Sequence, residues 1–497
     1  MKSVLSLSLL ILLAAALLRF ANLNSIPVFA DESIYIRWAQ IMKAESTMRF
    51  LPLSDGKQPL FMWLVIPFLK IFSDPLLAGR MVSGLAGIGT VAGVGAAAWL
   101  IFKNLRTALV ASMLWAVLPY AVFFDRLALS DSLMTMFVVW AFCLFFIAVS
   151  RLRLDFAMLS GFALGGAWLT KSPAVFALGL LPSLSVFLPK YNRRNIITAC
   201  GLGFAAGLIA FGMYNILRLG PEFHMIALRN KDYVYPLSRF LNKPLDPLIP
   251  HLKDTYSFYL YFITPVGLLL AIWGLFAERK SHLRERLILG LWWLVPVFTQ
   301  SVIAKTFTAR YLLFTAPFAC LLVAHALSHI GDRTPRHRLL IAGLALVVIP
   351  SLYLDVLYLF RPSDAPLPRI ERAGYLEEWT AGTGLASVSS VIRSQAASGP
   401  VVVGSEGFFG TPFDALGMYL NDVRNVRVVG VGVWIDSVHE KLISALDENK
   451  VFLVVNSSRF HGRPEDLGLK LIGSYPKADP PDRELEFLLF FEVLPRK

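Results

Sequence analysis

Val91-Ala92-Gly93-Val94-Gly95-Ala96-Ala97-Ala98-Trp99-Leu100-Ile101-Phe102 carries no charged side chain, and its apolar character extends back to Gly79 with Arg80 as the only charge. Residues 79–102 therefore reach the ~20 residues that an α-helix needs to cross a bilayer. Phe137–Val149 and Leu339–Pro350 lie in stretches of the same kind. Across the 497 residues, 56% are hydrophobic and 16% charged, which excludes an ordinary soluble multidomain protein. The expectation is a polytopic α-helical membrane protein.

Apolar runs bounded by charges or turn residues predict about eleven spans. Their limits are 4–20, 79–102, 107–124, 132–150, 156–172, 173–189, 195–217, 257–277, 287–304, 310–329 and 339–360. Lys2 followed by Val4–Leu18 resembles a signal peptide, with Val28-Phe29-Ala30 as a cleavage-type site. Arg19 and about eleven further residues separate that run from Ala30, so a retained anchor is expected instead.

The formal charge is +13, from 47 Lys+Arg and 34 Asp+Glu. Its excess gathers in alternate loops: Lys103 and Arg106; Arg151 and Arg153; Lys190, Arg193 and Arg194; Arg279, Lys280, Arg284 and Arg286; Arg333, Arg336 and Arg338. Only Asp155, Glu278, Glu285 and Asp332 oppose them. The positive-inside rule puts these loops and Lys2 in the cytoplasm. Charge so distributed reports topology, and nucleic acid drops out as a partner. With eleven crossings the chain after residue 360 faces the extracytoplasmic side.

The expected domains are 1–360, a transmembrane catalytic domain, and 361–497, a soluble α/β domain. Outer loop 21–78 contains two amphipathic stretches, Glu32–Lys43 and Pro59–Phe72, suited to the interface. Outer loop 218–256 is rich in Tyr, Pro, Lys and Asp. Residues 361–497 hold 15 Lys+Arg and 18 Asp+Glu and no membrane-length apolar run. Runs Val401–Val403, Val426–Val429, Val451–Val455 and Phe487–Val493 predict strands, interleaved with helix-like Phe413–Asn421 and Ser437–Asp447.

Charges on the outer side are the candidates for chemistry. Asp31 and Glu32 open an interfacial helix whose N-terminus favours carboxylates. Plain capping by Asp31, with Glu32 in the first turn, accounts for the same residues. Lys57, in the turn Asp55-Gly56-Lys57-Gln58-Pro59, suits an anionic headgroup or a snorkelling role. Asp125, Arg126 and Asp131 lie between two apolar spans, where charge is costly unless paired or bound; an Arg126 ion pair with Asp125 or Asp131 is the alternative to function. Lys171, Lys305 and Arg310 add cations at the same level, so several together could surround a phosphate.

Other features point less strongly. His325 and His329 are spaced i, i+4 but lack a carboxylate set, which favours interface histidines over a metal site. His224 and His251 sit in loop 218–256. Cys143, Cys200 and Cys320 lie in apolar runs without CxxC spacing and read as packing residues. Asn456-Ser457-Ser458 is a glycosylation sequon that matters only in a host that modifies this face.

These motifs together resemble the family 39 glycosyltransferases of the GT-C superfamily, which include protein O-mannosyltransferases and lipid A aminoarabinose transferases. The resemblance rests on Asp31-Glu32, Lys57-Gln58-Pro59-Leu60, Gly79-Arg80-Met81-Val82-Ser83, Arg126-Leu127-Ala128-Leu129-Ser130-Asp131, Leu169-Thr170-Lys171-Ser172-Pro173 and Ala309-Arg310-Tyr311-Leu312-Leu313. Gly374-Tyr375, Trp379 and Gly382 extend it into the outer domain.

The resemblance implies an integral-membrane, inverting enzyme that moves a sugar from a polyprenyl-phosphate donor to a lipid, glycan or protein acceptor. It implies Asp31 as general base, Asp131 as a second site carboxylate, and Glu32, Lys57, Arg126, Lys171 and Arg310 as substrate-binding residues. Gly56 stands where metal-assisted members carry Glu, and Gln58 replaces the first of two prolines, so no metal or cofactor is expected. Two alternatives are a polyprenyl-phosphate or glycolipid transporter and a noncatalytic lipid-binding assembly subunit. The absence of a sequence repeat and of midplane charges speaks against the transporter.

Overall fold

The structure, a computed structural model, describes residues 2–276, 282–332 and 337–495. Arg279, Lys280, Arg333 and Arg336, counted above for the inner face, lie outside the described residues, as does Glu278. The chain forms two compact units. The first comprises residues 1–21, 47–63 and 80–356, and the second 22–46, 64–79 and 357–497.

The first unit is helical. Counting the helices Pro75–Phe102 and Arg338–Phe360, whose ends run into the second unit, six described helices are long and apolar enough to cross a membrane. The count rises to eight if two bent pairs are each one span. One pair, Leu105–Val117 and Pro119–Asp125, bends by 52°, and the other, Leu248–Phe262 and Pro265–Phe276, by 111°. A proline opens the second half of each, where it removes a backbone donor and stops the helix from running on. Three further expected spans correspond to shorter apolar helices, Val4–Phe20, Leu154–Thr170 and Ser172–Phe187. The fold class is that of a multi-pass membrane protein, with six to eight full-length candidates where eleven spans were expected.

Local sequence explains the helix limits and the close packing. Asn104 caps Leu105–Val117 by accepting from the N–H groups of Arg106 and Thr107, and Asn192 caps Arg193–Tyr214 through Asn195 N–H. Helix Leu154–Thr170 packs against both Ser130–Arg151 and Arg193–Tyr214. Glycine permits the second contact: a Cβ at Gly161 would stand 2.7 Å from the Ala206 carbonyl oxygen, and one at Gly165 would stand 2.5 Å from Met213 Sδ.

The second unit contains helix Ala30–Ala44 and an α/β fold. Its five strands are β1 (Val401–Ser405), β2 (Val426–Gly430), β3 (Lys450–Asn456), β4 (Leu469–Pro476) and β5 (Phe487–Val493), in the spatial order β2-β1-β3-β5-β4. Strands β1, β2 and β3 are parallel, while β5 pairs antiparallel with β3 and β4. Burial of all five β1 residues follows from its central place in the parallel part, where an unbroken Val run is favoured. The four predicted strands are present. Strand β4 went unpredicted because it is an edge strand, mostly exposed, with a register shift between Leu471 and Gly473. The expected helix over Ser437–Asp447 shrinks to Glu440–Ile443.

Candidate functional site

In the first unit the turn before the second interfacial stretch is built around Gly56. Its φ of 68° ends the 3-10 turn Leu51–Asp55, and a Cβ there would meet Arg229 Cβ at 2.7 Å and the Met225 carbonyl oxygen at 2.9 Å. The glycine that departs from the metal-assisted pattern is thus required by both conformation and space. Arg229 is held by Asp55 at 2.6 Å and by Asp232 at 2.7 Å.

The next residue, Lys57, donates from Nζ to the Tyr233 hydroxyl at 2.7 Å and lies 4.4 Å from the centre of its ring. Gln58 Nε2 donates to Ser172 Oγ at 2.7 Å, joining this turn to the one after helix Leu154–Thr170. Lys171 occupies that second turn. Its Nζ contacts Asp131 Oδ1 at 2.5 Å and stands 4.3 Å from the Tyr311 ring centre. The Asp131 side chain is 1% exposed, at the start of helix Ser130–Arg151, and that of Lys171 is 18% exposed. The Arg310 guanidinium lies 5.3 Å from the same Tyr311 ring.

Lys57 and Lys171 line one cavity of ≈ 360 Å³. Its polar wall includes Tyr233, Arg229 and Gln300, and its apolar wall includes Val175, Phe176, Val234 and Ile303. Two ammonium groups beside aliphatic and aromatic surface match an amphiphile with an anionic head. Lys57, Lys171, Asp131 and Arg310 are thus brought together. Arg229 and Tyr233 are not among the sequence candidates, although the outer loop 218–256 that carries them is rich in Tyr, Pro, Lys and Asp.

Arg126 is placed differently. It is fully buried, and its Nη1 donates to the carbonyls of Leu18 at 2.9 Å and Ala21 at 2.8 Å, at the end of the first helix. It does not line the cavity. Beside it, Arg19 pairs with Asp125 at 2.9 Å, both side chains being almost wholly buried, and donates to the Ala116 carbonyl at 2.9 Å. The buried Asp355 faces Arg19 and Arg126 from helix His337–Phe360. These groups form a buried ionic cluster that ties helices together.

In the second unit Asp31 and Glu32 stand in the first turn of helix Ala30–Ala44. Glu32 is fully buried and accepts the Phe29 N–H at 2.9 Å, so the reciprocal half of a capping box falls to it. Phe29 forms a bridge with Ala381 and packs its ring 4.4 Å from that of Tyr375. Asp31 is half-buried.

His325 stacks on Phe102 at 4.5 Å, and His251 meets the Ser301 carbonyl at 3.0 Å and stacks on Phe307. His224 lies 3.7 Å from Glu222.

Comparison with known proteins adds a family match over part of the chain and a likeness of fold. Residues 56–214 match the family described as dolichyl-phosphate-mannose-protein mannosyltransferase. No curated protein matches. Among solved structures, ArnT from Cupriavidus metallidurans bound to undecaprenyl phosphate superposes with a TM-score of 0.60 at 14% identity, covering 98% of each chain. Its apo form gives the same TM-score at 13% identity. The oligosaccharyltransferase of Archaeoglobus fulgidus gives 0.52 at 12% identity, over 91% of this chain and 69% of that one.

Proposed function

We propose that the chain is an inverting glycosyltransferase of the membrane, moving a sugar from a polyprenyl-phosphate donor to an acceptor hydroxyl on the extracytoplasmic face. The GT-C resemblance read from its motifs, the family match over residues 56–214 and the likeness of fold to ArnT support this reading. The observation that carries this reading is the cavity that sets the Lys57 and Lys171 ammonium groups against an apolar wall. A lipid phosphate presents this combination, and ArnT, of the same fold, is known with undecaprenyl phosphate bound. In this reading residues 1–360 form the catalytic domain with eleven crossings, the N-terminus is cytoplasmic, and residues 361–497 lie outside.

The chemistry follows from those roles. Asp31 takes the proton of the acceptor hydroxyl, whose oxygen attacks C1 of the sugar, while the bond from C1 to the phosphate oxygen breaks with inversion. The polyprenyl phosphate leaves with the electron pair. Lys57, Lys171 and Arg310 meet the charge that develops on it. Asp131 acts through Lys171 as a positioning residue, whereas Glu32 and Arg126 hold backbone in place.

Asp31→Asn is expected to abolish transfer while expression and donor binding persist, measured by sugar transfer from a defined polyprenyl-phosphate donor. Transfer at the wild-type rate would remove Asp31 from the mechanism. Mass spectrometry of glycolipids and glycoproteins from cells with and without the gene identifies donor sugar and acceptor.

A further inference from the structure

Gln58 and Ser172 directly follow Lys57 and Lys171, and the transfer proposed above gives them no part. Gln58 is buried and Ser172 half-buried, and both line the cavity beside the two ammonium groups. Gln58 Nε2 donates to Ser172 Oγ at 2.7 Å. In that bond the hydroxyl is the acceptor, so it keeps its own proton to give. Among the described residues no acceptor takes that proton.

The surroundings decide what could take it. Lys171 lies within electrostatic reach of both Lys57 and Arg310, and Pro173, also in the wall, has no N–H to offer. The bond from Gln58 occupies one lone pair of Ser172 Oγ, which limits the directions left to the O–H and turns it away from the amide. A neutral donor is thus held between two turns that each carry an ammonium group. A carboxylate would present its oxygens to the two cations and have none to spare, whereas a terminal phosphate presents three acceptor oxygens.

We propose that Ser172 is a further ligand of the lipid phosphate, with Gln58 as the positioning residue that aims its hydroxyl. The proposal rests on the reading of this cavity as the lipid-phosphate site. It gives the amide at position 58 a function that a proline there could not supply, having no donor for Ser172. Because the hydroxyl is neutral, it adds a bond to the phosphate without adding to the repulsion between the ammonium groups. The same pair ties together the two turns from which those groups project.

The test measures Kd of a fluorescent short-chain polyprenyl phosphate for the full chain in nanodiscs. Ser172→Ala is expected to weaken binding about tenfold or more, as loss of a hydrogen bond to a charged group does. Ser172→Thr keeps the hydroxyl and is expected to bind like wild type. Gln58→Leu leaves the hydroxyl unaimed and is expected to weaken binding about two- to fivefold, within the range of one neutral hydrogen bond. In the Ser172→Ala background Gln58→Leu is expected to change nothing further, an outcome that a merely structural tie between the turns would not give. Full additivity of the two losses would overturn the role of Gln58, and equal losses in Ser172→Thr and Ser172→Ala that of the hydroxyl. Lys57→Met separates this proposal from the reading beneath it. Loss of affinity in Lys57→Met with wild-type affinity in Ser172→Ala would overturn Ser172 as a ligand alone, while wild-type affinity in both would overturn the phosphate site as well.

Discussion

Replacing Lys171 by Met separates two functions that the structure gives to one ammonium group. The Asp131 side chain is 1% exposed and lies 2.5 Å from Lys171 Nζ. Removing the cation strands a buried carboxylate, a loss of about 3–5 kcal/mol. Removing both charges in Lys171→Met/Asp131→Asn leaves no stranded ion and is expected to recover most of that stability. Phosphate binding follows the lysine alone. One charge-assisted hydrogen bond contributes about 1.5–3 kcal/mol, or about ten- to 150-fold in Kd. Both variants lacking Lys171 should therefore lose that affinity, while Asp131→Asn keeps it or binds more tightly. The assays are thermal unfolding in detergent and anisotropy of a fluorescent short-chain polyprenyl phosphate. Wild-type affinity in the double variant would refute Lys171 as a phosphate ligand, and so would a loss in Asp131→Asn as large as that in Lys171→Met.

Other outcomes follow from the same geometry. Gly56→Ala, forced to keep φ 68° against Arg229, should lower stability by about 1–3 kcal/mol and loosen the Arg229 to Asp55 pair, read from the thermal midpoint. Arg19→Met strands Asp125 and should cost about 3–5 kcal/mol, with size-exclusion profiles at rising temperature as the measure; an unchanged midpoint would show that the cluster contributes nothing. Burial pushes the Glu406 carboxyl up to about 7 against the opposing pull of Asn456, Arg459 and Lys477. The folded state then holds a proton that the unfolded chain has released above its ordinary range, so this stabilisation is present at low pH and disappears as pH rises through 7. Exchange protection of β1 and β3 amides, corrected for intrinsic rates, should fall by up to about 3 kcal/mol between pH 5 and 8, and Glu406→Gln should flatten the profile; Asp414, raised to about 6 by burial, contributes equally in both.

Hydropathy marked the membrane helices because a span is a local property of some twenty residues. The β-strands of the second unit were equally visible where Val runs are buried, and β4 was not, because an edge strand exposes residues that any loop could carry. Side-chain partnership was the least legible. Asp125 chooses Arg19, 106 residues away, over its neighbour Arg126 in the sequence, and no spacing rule encodes that choice. Glu32 caps behind a Phe at the N-cap, where the usual signature has Ser or Thr. Lys57 and Lys171 could be placed on one face by counting spans, but Tyr233 and Arg229 became visible only when their loop folded against Gly56.

The contact from Arg126 to Ala21 also bears on biogenesis. The two residues are 105 positions apart. During synthesis at roughly 5–20 residues per second, the first helix must wait on the order of 5–20 seconds for the guanidinium that joins its terminal carbonyls. The insertion machinery therefore receives a first segment whose end is completed by a later one. Its final docking belongs to the assembly of the bundle, after the residues preceding Ser130–Arg151 have left the ribosome.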